Sequence, residues 1–460
     1  MKNIRNRSII IFFITVFFIC GIFFFIHQFI NNANFWAMSP ANKHFSETNL
    51  SCYGKILDRN DTILAYSEEN KRIYHQDPNV RKAVLHTVGD NNSHIATSIQ
   101  NLFRDELSNY NFIFGVNTPD FLKQNKNIKL TIDSNICKYA LSTLTPYKGA
   151  ICIYNYKTGE IICMVSSPTF DPYHPEVIFN DKTGFYEGAY INRAISASYA
   201  PGSVFKIVTT AAGLDNFDDL DFKTYSCQQT KFINNKKISC MGSHHNINLK
   251  NAMMKSCNIY FADLAVDLGK NAMTKTANLL CFNRTFKFDR IETKKSYYNV
   301  QTADDYDLGW SGVGQYNNLL NPMHSLILMG AIANSGTAVL PHIIMNIYTD
   351  NSFNTQDYLK NLSYESLLNE NTANKIKEFM RYNVTENYGE SMFAGLNVCA
   401  KTGTAEVGDN KKPHGWMVGF SDNAKTPLAF SVIVENSGFG SQFAGPIASK
   451  VLKFAVQSLK

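Results

Sequence analysis

Three short groups of residues have the types and spacing to do chemistry together. The first, Ser203-Val204-Phe205-Lys206, follows Pro201-Gly202 at the opening of an apolar helical run. Ser203 is therefore expected in the first turn, and i,i+3 spacing puts Lys206 beside it on the same face. A serine hydroxyl is too weakly acidic to attack an amide unaided. A lysine kept neutral by burial can take its proton, and free N–H groups at a helix start favour the negative charge that develops. The second group, Ser256-Cys257-Asn258, precedes a strongly apolar helix (IYFADLAVDLG). Its hydroxyl suits a proton relay between Lys206 and a leaving amine, and the Asn258 amide suits a hydrogen bond donated to a substrate carbonyl. The third, Lys401-Thr402-Gly403-Thr404, lies in the strand-like NVCAKTGTAEV. Gly403 removes the side chain at one point and lets a ligand backbone approach closely. An edge strand of this kind binds an extended peptide by strand addition, while Lys401, Thr402 and Thr404 offer donors to a terminal carboxylate. Each triplet is weak evidence alone; S-x-x-K, then S-x-N, then K-T-G in one chain is a rare conjunction.

The elements that must position these groups can be read from periodicity. From Lys148 onward, two apolar β-type runs (GAICIYNYKTGEIICMVSS) are joined at Tyr156-Lys157-Thr158-Gly159, a hairpin signal. Helical patterns follow at 204–214, 249–268, 320–335 and 372–384, then strand-like runs at 397–407, 415–421 and 428–436 and a last amphipathic helix near 447–459. A hairpin, helices, further strands and a closing helix predict an α+β domain over 146–460, with a mainly antiparallel sheet flanked by helices. Residues 31–145 are polar and mixed, with strand-like KILDRNDTILAYS and NIKLTID around a helical stretch at 94–107, and read as a smaller membrane-proximal module.

The uncharged run IIIFFITVFFICGIFFFI, residues 9–26, spans roughly 27 Å as a helix, close to the hydrocarbon thickness of a bilayer. It predicts a membrane anchor over 9–30. Lys2, Arg5 and Arg7 precede it and uncharged residues follow, so residues 1–8 are expected in the cytoplasm and the rest outside. The chain has 460 residues, of which 45% are hydrophobic and 18% charged, which excludes a wholly disordered or collagen-like protein and predicts more than one unit. Its net charge of +6 is spread along the chain, not gathered into a basic block, so no nucleic-acid partner is expected. Ten cysteines include Cys20 in the apolar run, and most others sit in apolar surroundings as small buried hydrophobes. Cys227 and Cys240 differ: they bracket a polar loop (CQQTKFINNKKISC) and are the pair nominated for a disulfide. A zinc site with His244 and His245 just beyond is the alternative.

In order and type the three triplets match the set of penicillin-binding proteins and class A β-lactamases. The chain resembles a class B penicillin-binding protein, the monofunctional peptidoglycan D,D-transpeptidase, of the short PbpA type. The likeness extends to YGKILDRNDTILA, TGEIICMVSSPTFDP, NRAISASYAPGSVFKI, SCNIYFADLA, GVGQYNNLLNPMHSLILMGAIANSG, AKTGTAE and HGWMVGFS. The resemblance implies the penicillin-binding transpeptidase fold, with Ser203 as the acylated nucleophile and Lys206 as its base. It implies Ser256 and Asn258 as the relay and orienting pair, and Lys401, Thr402, Gly403 and Thr404 as the substrate-binding strand. The oxyanion hole would come from the backbone N–H groups of Ser203 and Thr404. The implied substrate is a stem peptide ending in D-Ala-D-Ala, β-lactams would acylate the enzyme, and a SEDS-type glycosyltransferase is the implied membrane partner. Acyl transfer of this kind implies no cofactor and no catalytic metal.

Three positions depart from the family pattern: Tyr53 in place of arginine, Asp61 in place of glycine, and Asn321 in place of threonine before Pro322. Glu365-Ser-Leu-Leu-Asn369 matches the E-x-x-L-N pattern whose glutamate activates the deacylating water of class A β-lactamases, but it stands far from the S-x-N triplet. The expectation here is a surface helix starting at Ser363. The rival readings are a D,D-carboxypeptidase or β-lactamase, a β-lactam sensor, and a non-catalytic cell-wall scaffold.

Overall fold

The computed structural model describes residues 2–37, 54–69, 71–108, 126–349, 356–357, 362–393, 395–408 and 411–459. Tyr53 lies outside them. The chain begins with one helix, Lys2–Ala37, in which Ile4–Ile30 is long and apolar enough to cross a membrane. Over Ile4–Ile30 its phenylalanines and isoleucines are exposed, as they would be on a helix that faces lipid.

A five-stranded antiparallel sheet forms the centre of the fold. In spatial order its strands are Val398–Ala405, His414–Ser421, Leu428–Val434, Gly149–Asn155 and Ile161–Ser167. Every residue of Leu428–Val434 and of Ile161–Ser167 is buried. Sheets covered on both faces produce such continuous apolar runs in place of alternation. The helix Pro322–Ala333 is buried all round, and its Ser325 hydroxyl meets that of Ser431 on the sheet at 2.6 Å. Asn321 caps this helix by accepting from the Met323 and His324 N–H groups, so the family's threonine has been exchanged for another residue that can cap. The closing helix Ala444–Ser458 packs on the helix Ser134–Leu144, with Tyr139 stacked on Phe454 at 4.3 Å.

A second sheet gathers the N-terminal strands Ile56–Leu57, Ile63–Glu68, Lys71–Tyr74 and Lys126–Leu130. Its remaining two strands, Ile344–Thr349 and Gln356–Asp357, come from late in the chain, so the two parts of the protein are sewn together by a shared sheet. Asp61 adopts φ +63°, the left-handed conformation that explains a glycine preference there, and its carboxylate pairs with Lys129 at 2.6 Å.

Two expectations need correction. The segment containing Cys227 and Cys240 is not a polar loop but a two-stranded ribbon, Thr224–Ile233 with Lys236–Asn248. Asn234 and Asn235 turn it with φ +50° and +59°, the two left-handed residues of a tight hairpin turn. Glu365 is not in a helix that starts at Ser363. It sits on the short strand Tyr364–Ser366 opposite Ala338, and the helix begins at Glu370, capped by Asn369.

Candidate active site

Ser203 lies in a 3₁₀ turn, Gly202–Phe205, that runs directly into the helix Lys206–Asn216. The tighter turn keeps Ser203 and Lys206 one turn apart on the same side. Gly202 has φ +51°, and a Cβ there would lie 2.3 Å from the Thr404 carbonyl oxygen. Only glycine lets the serine turn approach the K-T-G strand so closely. Gly314, from GVGQ, backs the same turn: its carbonyl accepts from the Gly202 N–H at 3.0 Å.

The Lys206 side-chain nitrogen, Nζ, is the hub. It lies 3.0 Å from Ser203 Oγ, 3.1 Å from Ser256 Oγ, 2.6 Å from the Ser256 carbonyl oxygen and 2.7 Å from Asn258 Oδ1. The lysine is wholly buried, and burial pushes its pKa down to about 8. A neutral amine has two N–H donors and one lone pair. The Ser256 carbonyl and Asn258 Oδ1, which can only accept, take the two N–H groups, and the lone pair is left for the Ser203 hydroxyl.

Ser256 and Asn258 reach Lys206 because the expected helix over 249–268 is two helices, Leu249–Lys255 and Asn258–Leu279. Ser256 between them adopts φ +53°, ψ +43°, a conformation that costs a non-glycine residue free energy and that sites retain when geometry demands it. Asn258 Nδ2 donates to the Ser239 carbonyl at 2.9 Å, which fixes the amide so that Oδ1 faces Lys206.

The strand Val398–Ala405 is an edge of the central sheet, as the sequence suggested. Lys401 is wholly buried and donates to Ser256 Oγ at 3.1 Å and to the Thr402 carbonyl at 3.0 Å. Burial and the neighbouring Lys206 both hold its pKa well below the ordinary lysine value. Thr402 and Thr404 are half-buried, in contrast to the wholly buried Lys401. Thr404 Oγ1 accepts from the Gly440 N–H at 3.2 Å. Thus all four expected catalytic residues and the K-T-G strand meet in one place. Ser256 Oγ bridges the two lysines.

Residues not anticipated support this arrangement. Tyr388, in the π-helical turn Val384–Tyr388, lies 3.0 Å from Thr402 Oγ1 and accepts from the Thr402 N–H at 3.0 Å. Trp416 donates its indole N–H to the Ala200 carbonyl ahead of the serine turn. Neither belongs to a triplet, and only the aromatic residue in HGWMVGFS offered any signal. Glu365 is bound to Arg284 at 2.9 Å, on a strand separate from the catalytic cluster. Cys227 and Cys240 are both free thiols, not a disulfide.

The penicillin-binding protein transpeptidase domain model matches residues 149–453, and the chain belongs to that family. It is 26% identical over 376 residues to the peptidoglycan D,D-transpeptidase PbpA of Mycobacterium tuberculosis, covering 75% of this chain and 76% of the relative. Penicillin-binding protein 3 of Bacillus subtilis is 26% identical over 338 residues, covering 68% of this chain and 48% of that protein. In fold the chain is similar to the penicillin G acyl-enzyme complex of penicillin-binding protein A from Mycobacterium tuberculosis, with a TM-score of 0.75 at 23% identity, covering 89% of this chain and 99% of that one.

Proposed function

We propose that the chain is a membrane-anchored serine D,D-transpeptidase that cross-links peptidoglycan stem peptides and is acylated by β-lactams. The observation that carries this reading is the position of Lys206, within hydrogen-bond reach of Ser203, Ser256 and Asn258 at once. In the reaction, Lys206 takes the Ser203 proton as Oγ attacks the D-Ala-D-Ala carbonyl. The negative oxygen is held by the backbone N–H groups of Ser203 and Thr404. Ser256, bonded to both lysines, passes a proton to the leaving D-alanine, and Asn258 orients the peptide. Lys401, Thr402 and Thr404 hold the terminal carboxylate beside the edge strand, whereas Gly403, expected to make room for the ligand, instead makes room for the serine turn: a Cβ there would lie 2.7 Å from the Pro201 carbonyl oxygen. An acceptor amine then attacks the acyl carbonyl, giving up a proton and displacing Ser203 Oγ, so that the new peptide bond forms and the serine hydroxyl is regenerated.

The N-terminal positive residues support a cytoplasmic amino end and an extracytoplasmic catalytic domain. The family resemblance supports a SEDS-type glycosyltransferase as membrane partner. The reading is tested with full-length protein in detergent, a pentapeptide donor and a labelled D-amino acid acceptor. Label joined to the donor peptide is the expected result. Release of D-alanine with no acceptor incorporation would instead make the protein a carboxypeptidase.

A further inference from the structure

Beside the catalytic lysine, and taking no part in the mechanism above, lie four metal-binding side chains: Cys227, Cys240, His244 and Cys257. Their donor atoms all fall within 4.8 Å of one another, and among the described residues this is the one cluster of its kind. His244 Nδ1 is 3.5 Å from Cys227 Sγ and 3.6 Å from Cys240 Sγ, and Cys240 Sγ is 3.9 Å from Cys257 Sγ. Four ligands placed tetrahedrally at zinc bond lengths stand about 3.8 Å apart for sulfur and sulfur, and about 3.5 Å for sulfur and nitrogen. These three separations match those around a single ion, and the remaining ones stay within 4.8 Å. The Cys240–Cys257 separation is too long for a disulfide, whose sulfurs are bonded at about 2.05 Å.

We propose that Cys227, Cys240, His244 and Cys257 form a closed structural zinc site that clamps the ribbon 224–248 to the catalytic Ser256–Asn258 turn. Three cysteines and a histidine are a common structural zinc set, and four protein ligands leave no position for substrate. His245, next in sequence, is exposed and pairs across the ribbon with Cys227, so it is not a ligand. The ribbon's register shifts at Cys227/Gln228 and Gln228/Thr230. Bulges of this kind re-aim side chains, and here they fall at the first ligand. Hydrogen bonds to the sulfurs complete the site: the Asn258 N–H donates to Cys240 Sγ at 3.3 Å and the Tyr260 N–H to Cys257 Sγ at 3.4 Å. Such donors stabilise thiolate ligands and fix their direction.

Few apolar side chains, Ile238 and Ile247 among them, hold the ribbon to the core. Most of its side chains are exposed, and a two-stranded ribbon with little apolar burial is marginal alone. Cys257 is the middle residue of the S-x-N triplet, so the ion would hold Ser256 in its left-handed conformation and Asn258 against Lys206. The ion has no part in acyl transfer itself.

The test uses full-length protein purified with reductant and without chelator, its metal content read by mass spectrometry. About one zinc per chain is expected in wild type and in His245→Ala, with near-complete loss in Cys227→Ser and His244→Ala. Wild-type protein refilled with cobalt(II) should show the thiolate-to-cobalt charge transfer and intense visible bands of a tetrahedral thiolate site, a readout that needs no variant. Stripping the metal should slow penicillin acylation by about tenfold or more, reversed by added zinc. Wild-type protein without zinc, a disulfide among the three cysteines, undiminished zinc in both ligand variants, or cobalt bands lacking thiolate character would each overturn the site. Unchanged acylation after stripping would overturn its coupling to the turn. Metal content is read without any acylation, so failure of the site and failure of the transpeptidase reading are distinguishable.

Discussion

At the scale of single residues, the chemistry proposed for Ser203 and Lys206 depends on one proton. Lys206 has a pKa lowered by burial to about 8, so it is largely protonated at pH 6 and largely neutral at pH 9. The rate constant for acylation of free enzyme by a penicillin is therefore expected to rise about tenfold per pH unit below 8 and level off above it. A flat profile from pH 6 to 9 in stopped-flow labelling contradicts this. The sign for stability is also fixed. The unfolded chain keeps its ordinary lysine pKa and binds more protons between about 8 and 10.5, so this group's penalty is largest below pH 8 and fades as pH rises through that window. Lys206→Arg keeps the charge but cannot accept a proton, and should slow acylation by about 10³-fold. A loss of only a few-fold would remove Lys206 from the role of base. The triplets were legible because each role needs a particular residue type. Tyr388 was not, and Trp416 only as part of HGWMVGFS, since their contribution depends on where distant segments meet.

At the scale of elements, the serine turn and the K-T-G strand must nearly touch. Gly202→Ala places a methyl group 2.3 Å from the Thr404 carbonyl oxygen and forces a side chain into φ +51°. The conformation alone costs roughly 1–3 kcal/mol. The variant should have a lowered melting temperature, and its acylation should fall by about 10²-fold, the size of losing one oxyanion donor. Wild-type melting and wild-type acylation together would mean that the two backbones are not held as described. The strands of the central sheet were readable from sequence because burial on both faces makes them continuously apolar, as in LAFSVIV at 428–434. The ribbon 224–248 was not, because most of its side chains are exposed and it looks like polar loop. Its one local signal was the Asn234-Asn235 pair. The break at Ser256 was half legible: the triplet was placed ahead of an apolar helix, yet a helical pattern was also read through it over 249–268, and a long-range network around Lys206 fixes where the chain turns. Likewise, no local pattern announces that Ile344–Thr349 pairs with Lys126–Leu130 more than two hundred residues earlier.

For the whole molecule, the question is whether the acyl-enzyme is released to water or to another peptide. The carboxylate of Glu365, which by motif alone could serve a β-lactamase, is held by Arg284 away from the Ser203–Lys206–Ser256 cluster. Penicillin turnover by the full chain should therefore be far slower than acylation, and Glu365→Gln should leave the deacylation rate unchanged. Several turnovers per second, lost in that variant, would make the protein a hydrolase. The N-terminal helix is long and apolar enough over Ile4–Ile30 to cross a membrane, and the shared sheet joins the N-terminal strands to a late part of the chain. All of this rests on Ser203 being the residue acylated. The most direct measurement is mass spectrometry of the full-length protein after labelling with a fluorescent penicillin, followed by peptide mapping. The account predicts one adduct per chain, on Ser203, and no label in Ser203→Ala; an adduct on another residue, or undiminished labelling of that variant, contradicts it.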